Sequence, residues 1–109
     1  MSWKVNFFQT TRKTYPVRDF ILEQEQTTRA KIDLYFNLLS ESGPFLKPPY
    51  IKKIHEKLYE LRVTGSISVR IFYTIIGNEY YLLHAFKKQS DKTPSKEIKI
   101  ALDRMRQLI

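Results

Sequence analysis

The residues that could do chemistry in this 109-residue chain are mostly basic, and they sit on segments that alternate like β-strands. Leu58 to Thr64 places Tyr59, Leu61 and Val63 on one face and Leu58, Glu60, Arg62 and Thr64 on the other. Ile67 to Ile76 repeats the pattern, with Ile67, Val69, Ile71, Tyr73 and Ile75 facing one way and Ser68, Arg70, Phe72 and Thr74 the other. If the two strands pair, Arg62 and Arg70 share a polar face. Neighbouring guanidiniums repel unless an anion lies between them, and Glu60, on the same face, is a candidate for that anion. The plainer expectation is a solvated Glu60, Arg62 and Arg70 ion cluster of little energetic value. The functional one is a phosphate clamp, because the planar, multidonor guanidinium suits phosphate oxygens and stabilises charge building on a scissile phosphate.

RNA can be cut at such a site without a metal. The 2′-hydroxyl attacks the adjacent phosphate in line, which requires a proton acceptor, cations for the phosphorane and help for the departing 5′-oxygen. Arginine and lysine fill the second role; Glu60, His84 and His55 are candidates for the others. His84 lies on a mostly apolar strand, Glu79 to Lys87, where a packed histidine is the commoner outcome. His55 is expected in an exposed loop beside Lys52, Lys53 and Lys57, and those lysines, with Lys92, suit the tracking of an RNA backbone. Lys87 and Lys88 add charge where the last strand ends. Among the aromatic residues, Phe72 is the one expected as an exposed platform for stacking on a base.

The net charge of +8 is uneven: residues 1–46 carry six Lys and Arg against five Asp and Glu, and residues 47–109 carry thirteen against six. This asymmetry points to a polyanionic partner, RNA or DNA before an acidic protein, with a basic surface kept for solubility as the plainer alternative. The chain has no cysteine, and its two histidines form no HxxxH or HExxH pair, so no disulfide, metal or cofactor is expected. No apolar run approaches the roughly 18 residues of a membrane span, and the N-terminal segment lacks a signal-peptide pattern. A cytoplasmic location is expected.

The elements that must position these residues fit one domain. Ser2 to Phe8 alternates as a strand. Pro16 is placed to open a helix carrying Val17, Phe20 and Ile21 inward. Thr27 or Thr28 is expected to cap a second helix, with Ile32, Tyr35, Phe36 and Leu39 at helical spacing until Gly43-Pro44. Tyr50 to Glu56 reads as a short helical or irregular link. Thr64-Gly65-Ser66 and Gly77-Asn78 then join three consecutive antiparallel strands. Thr93 is expected as the cap and Pro94 as the first residue of a last helix with Ile98, Leu102, Met105 and Ile109 on its stripe. The fold class is therefore α+β: a twisted antiparallel sheet, made of an N-terminal strand and a three-strand meander, with two N-terminal helices and a C-terminal helix.

The order KKIHEKLYELR, VRIFY and LLHAFKKQSDKTPSKEI, followed by a helix with Ala101 and Arg104, resembles the phage Gp49-like branch of HigB toxins in the RelE/ParE toxin superfamily. The resemblance spans almost the whole chain. It implies a small RelE-like fold and a type II toxin that cuts mRNA on the ribosome. It also implies neutralisation by a cognate helix-turn-helix, HigA-like antitoxin in a toxin–antitoxin hetero-oligomer. Carried over by position, Arg62, Arg70, Lys87 and Lys88 match the basic residues that the family uses at the scissile phosphate. The chain departs from many RelE-like nucleases in having no Tyr or His from Gln89 onward, so proton transfer would fall to Glu60, His84 or a lysine. The superfamily also contains ParE-type gyrase inhibitors, and a nucleic-acid-binding phage protein without toxicity is a further reading.

Overall fold

The computed structural model describes residues 2–89 and 92–109, so Ser90 and Asp91 of LLHAFKKQSDKTPSKEI lie outside the described residues. In chain order the strands and α-helices are β1 (Lys4–Phe7), α1 (Pro16–Leu22), α2 (Gln26–Ser42), β2 (Ile51–His55), β3 (Leu58–Val63), β4 (Val69–Ile76), β5 (Glu79–Lys87) and α3 (Ser95–Leu108), with a 3-10 turn at Gly43–Phe45 after α2. The fold is α+β, as the periodicity predicts. The five strands form one sheet in the order β1-β5-β4-β3-β2.

Two features of the sheet differ from the expectation. The Ile51–His55 segment is a strand, paired antiparallel with β3 at the edge, and not a helical or irregular link. Adjacent Lys52 and Lys53 hide its alternation, and charge of this kind is what protects an exposed sheet edge from pairing with other chains. The second difference is β1, which runs parallel to β5, so the sheet is mixed. The β2–β5 meander needs only tight connections, including a two-residue Gly77-Asn78 turn with Gly77 at φ 64°. β1 is separated from its partner by both helices and three strands, a connection long enough for a parallel pairing.

The sheet is covered on both faces. α1 and α2 place Val17, Ile21, Ile32, Tyr35 and Leu39 against Leu61, Val63, Val69, Ile71, Tyr73, Tyr80 and Leu82. On the opposite face α3 places Ala101 and Met105 against Leu58, Phe72, Leu83 and Phe86. Burying side chains of this size contributes about 1.5–3 kcal/mol each for the larger ones. Ile109 falls outside the expected stripe and is exposed. Among the described residues no helix is long and apolar enough to cross a membrane.

A β-bulge decides how α3 sits. In the β4–β5 register Phe72 pairs with His84 and Tyr73 with Leu82, which leaves Leu83 as an extra residue. Leu83 and His84 then both serve the α3 side, where strict alternation would separate them. Arg104 Nη1 donates to the Leu83 carbonyl at 2.9 Å and meets His84 Nδ1 at 3.3 Å, while His84 Nε2 meets Glu97 Oε1 at 2.8 Å. These partners suit one form of the ring: Nδ1 accepts from the guanidinium, and the Nε2 hydrogen is donated to the carboxylate. Burial holds the His84 pKa below its ordinary value; Glu97 opposes that shift, and the Arg104 charge adds to it. The Glu97 contact is thus a hydrogen bond from a neutral imidazole rather than an ion pair.

The helix starts also differ from the expected caps. Glu25 takes the N-cap of α2, with Thr28 buried in its first turn. Pro94 takes that of α3, and the Thr93 hydroxyl is bonded elsewhere. At the end of α2, Gly43 adopts φ 57° and ψ −138°, and a Cβ there would collide with the indole of Trp3. The Trp3 backbone cannot retreat easily, since its amide N–H donates to the Ser40 carbonyl and its carbonyl accepts from Ser40 Oγ. Gly43→Ala should therefore destabilise the fold by about 2 kcal/mol or more, read from denaturant midpoints. For His84, a folded pKa below the unfolded value of about 6.5 means that the unfolded chain binds the proton first. Stability should be full above about pH 6.5 and fall as the pH drops through the lower folded value, and thermal melts of His84→Gln should lack that part of the slope.

Candidate functional site

Strand pairing brings the two arginines together. Arg62 of β3 stands directly opposite Arg70 of β4, and Glu60 opposite Phe72, all on the α3 side of the sheet. The cluster is not the solvated one that composition suggests: Glu60 is 0% exposed and Arg70 9%. Burying charge costs several kcal/mol unless partners replace the lost water, so the contacts of Glu60 decide whether the arrangement holds. Glu60 Oε1 accepts from Arg62 Nε at 3.2 Å and lies 3.9 Å from Arg70 Nε. Glu60 Oε2 accepts from the Thr93 hydroxyl at 3.0 Å. One buried carboxylate thus answers two guanidiniums through one oxygen and is fixed by the other.

Arg70 is less completely satisfied. Its Nη1 donates to the Val69 carbonyl at 3.3 Å, while its buried Nε lacks a hydrogen-bond partner among the described residues. Burial pulls the Arg70 pKa down; the Glu60 charge opposes this and the Arg62 charge adds to it. Guanidinium remains charged under such shifts, so the group is an underused donor facing a like charge. An additional anion would relieve both conditions.

A groove of about 370 Å³ adjoins the cluster, lined by Lys52, Lys53, Ile54, Lys88, Lys92, Thr93 and Ile98. Lys52 enters through its register opposite Glu60. Lys88 enters as the chain leaves β5, with its N–H donating to the Ser68 carbonyl. Thr93 belongs to both groove and cluster, which makes them one site. Four of the expected basic residues therefore meet here, and the edge strand β2 is what carries two of them.

Other expected residues lie elsewhere. Lys87 pairs with Val69, a residue of the core beneath α1 and α2, so the Lys87-Lys88 pair divides between the two faces. Lys57 occupies the β2–β3 turn at φ 65°, outside the groove lining, and His55 is exposed at the end of β2. His84 is separated from Glu60 by Phe72, which lies between them across the strands, and is engaged with α3. Phe72 itself is 0% exposed, packed against the rings of Phe86 and His84. It is core and not a stacking platform; α3 covers the face that alternation assigned to the polar side. Thr93 is the site residue that sequence reasoning missed, since Thr before Pro is also the signature of a helix start.

The model of the family described as phage derived protein Gp49-like matches residues 19–106, a span containing Glu60, Arg62, Arg70, Thr93 and every groove lysine. A search of the curated proteins finds no match. The family match is consistent with a toxin of a toxin–antitoxin pair, and so with an antitoxin as partner in general. Because the match runs from α1 through most of α3 and takes in the whole basic site, the chain belongs to the Gp49-like family of phage-derived proteins.

Proposed function

We propose that the chain is the toxin of a type II toxin–antitoxin system and acts as a ribosome-dependent mRNA endoribonuclease. The observation that carries this reading is the Arg62–Arg70 pair, answered by a single oxygen of Glu60 and standing beside a lysine-lined groove. Phosphate is the anion that such a pair fits best, because several oriented N–H donors can meet its oxygens at once. The groove lysines hold the flanking backbone, and the ribosome supplies the extended message.

In this reading Arg62 and Arg70 stabilise the charge that builds on the phosphorane, and binding in the groove aligns the 2′-hydroxyl for attack. Lys88, at the groove wall, donates a proton to the departing 5′-oxygen, and the attacking hydroxyl loses its proton to water. Glu60 is fully buried with both oxygens engaged, and His84 is held beneath α3, so neither side chain reaches a phosphate lying in the groove. Lys87 lies on the other face and is assigned no step. The partner proposed for this surface is a cognate helix-turn-helix antitoxin of HigA type, whose acidic segment covers the basic groove in a hetero-oligomer.

Induced expression should arrest growth and produce new mRNA ends within translated regions. Arg70→Ala, shown by melting to remain folded, should lower cleavage by about 100-fold or more, as loss of a donor to a transition-state oxyanion does. Growth arrest with intact mRNA and altered DNA supercoiling would instead indicate a gyrase inhibitor. The double variant Lys52→Ala, Lys53→Ala should keep its fold while losing RNA affinity. Its slope of log affinity against log salt should fall by about 1.4, the amount for two single-strand phosphate contacts.

A further inference from the structure

At the centre of the basic site the two oxygens of Glu60 have different tasks. Oε1 serves Arg62 and Arg70, whereas Oε2 accepts the Thr93 hydroxyl. Thr93 does not come from the sheet. It lies 33 residues from Glu60, in the segment that leads into α3. That helix is seated independently by Arg104 on Leu83 and His84, and by Glu97 on His84. The hydroxyl is therefore delivered to the carboxylate by the docking of α3.

A carboxylate held through one oxygen turns easily about its last torsion, which is broad and roughly two-fold. If Oε2 lost its donor, it would be a buried acceptor without a partner, an expensive state. The nearest remedy is rotation to present both oxygens to one guanidinium in the bidentate arrangement that arginine favours. Such a rotation would occupy the N–H groups meant for phosphate and release the second arginine. The contact at 3.0 Å prevents it.

We infer that Thr93 is a positioning residue of the nuclease site: its hydroxyl fixes the Glu60 carboxylate so that one oxygen holds both arginines, leaving their remaining N–H groups open to phosphate. Glu60 is accordingly the holder of the arginine pair. The inference rests on the endonuclease reading for its consequence in catalysis, but its structural part stands apart from that reading. Since the groove lysines hold the substrate, a misplaced arginine pair costs turnover more than binding.

The test uses the full chain with Thr93→Val, which removes the hydroxyl at nearly constant shape, and Thr93→Ser, which restores it. Thr93→Ala replaces the valine variant if that one melts early. Two readouts are taken: steady-state cleavage of mRNA on programmed ribosomes, and the Nε–H resonances of Arg62 and Arg70 in nitrogen-correlated spectra. Thr93→Val should lower kcat about tenfold with KM changed less than twofold, shift the Arg62 Nε–H resonance and speed its exchange with water. Thr93→Ser should return both to near wild type. Wild-type kcat in Thr93→Val, or lost kcat with unmoved arginine resonances, would overturn the positioning role. If the wild-type chain cuts no mRNA, the endonuclease reading fails, and the resonances alone then decide whether Thr93 holds the pair.

Discussion

A single buried carboxylate organises the charged half of this molecule. Glu60, without solvent exposure, stands where β3 and β4 bring two guanidiniums into direct register. Remove it, and two like charges would share a largely dry sheet face with nothing between them. Keep it, and the pair becomes tolerable but not saturated, because one oxygen serves both arginines and Arg70 Nε has no hydrogen-bond partner among the described residues. That incomplete satisfaction is the physical basis for expecting an outside anion.

The rest of the fold can be understood as support for that arrangement. The α1–α2 layer closes one sheet face with a mainly apolar interface, leaving the other free for mixed chemistry. On the second face α3 covers β4 and β5 with Ala101 and Met105 and stops short of the lysines of β2. The bulge at Leu83 makes this possible, since it turns His84 and the Leu83 carbonyl toward Glu97 and Arg104. A helix docked in this way carries Thr93 to the carboxylate. Apolar packing, the bulge and the polar cluster are therefore one connected system rather than separate core and site.

The groove has a different character. Its lysines come from an edge strand, from the exit of β5 and from the segment before α3, where the side chains are exposed or half-buried, so the attraction they exert on an anion is long-range and sensitive to salt. The arginines sit deeper and act at short range. On the proposed reading, such a surface would first attract a polyanion and then orient one phosphate, a division of labour that suits a substrate presented as an extended strand.

By itself the sequence determined what depends on neighbours in the chain. Two-residue alternation placed Arg62 and Arg70 on one face and the aliphatic set on the other, Pro16 marked the start of α1, and Gly77-Asn78 marked a hairpin. The ends of β5 followed from the same local pattern, and so did the basic character of the second half. Tertiary structure decided what depends on remote partners. It made Ile51–His55 a strand by giving it β3, set β1 parallel by placing it beside β5, and buried Phe72 under α3. It also split Lys87 from Lys88 and converted Thr93 from an expected cap into a ligand of Glu60. Periodicity records which way a side chain points, but only the assembled sheet and helices determine what it meets there.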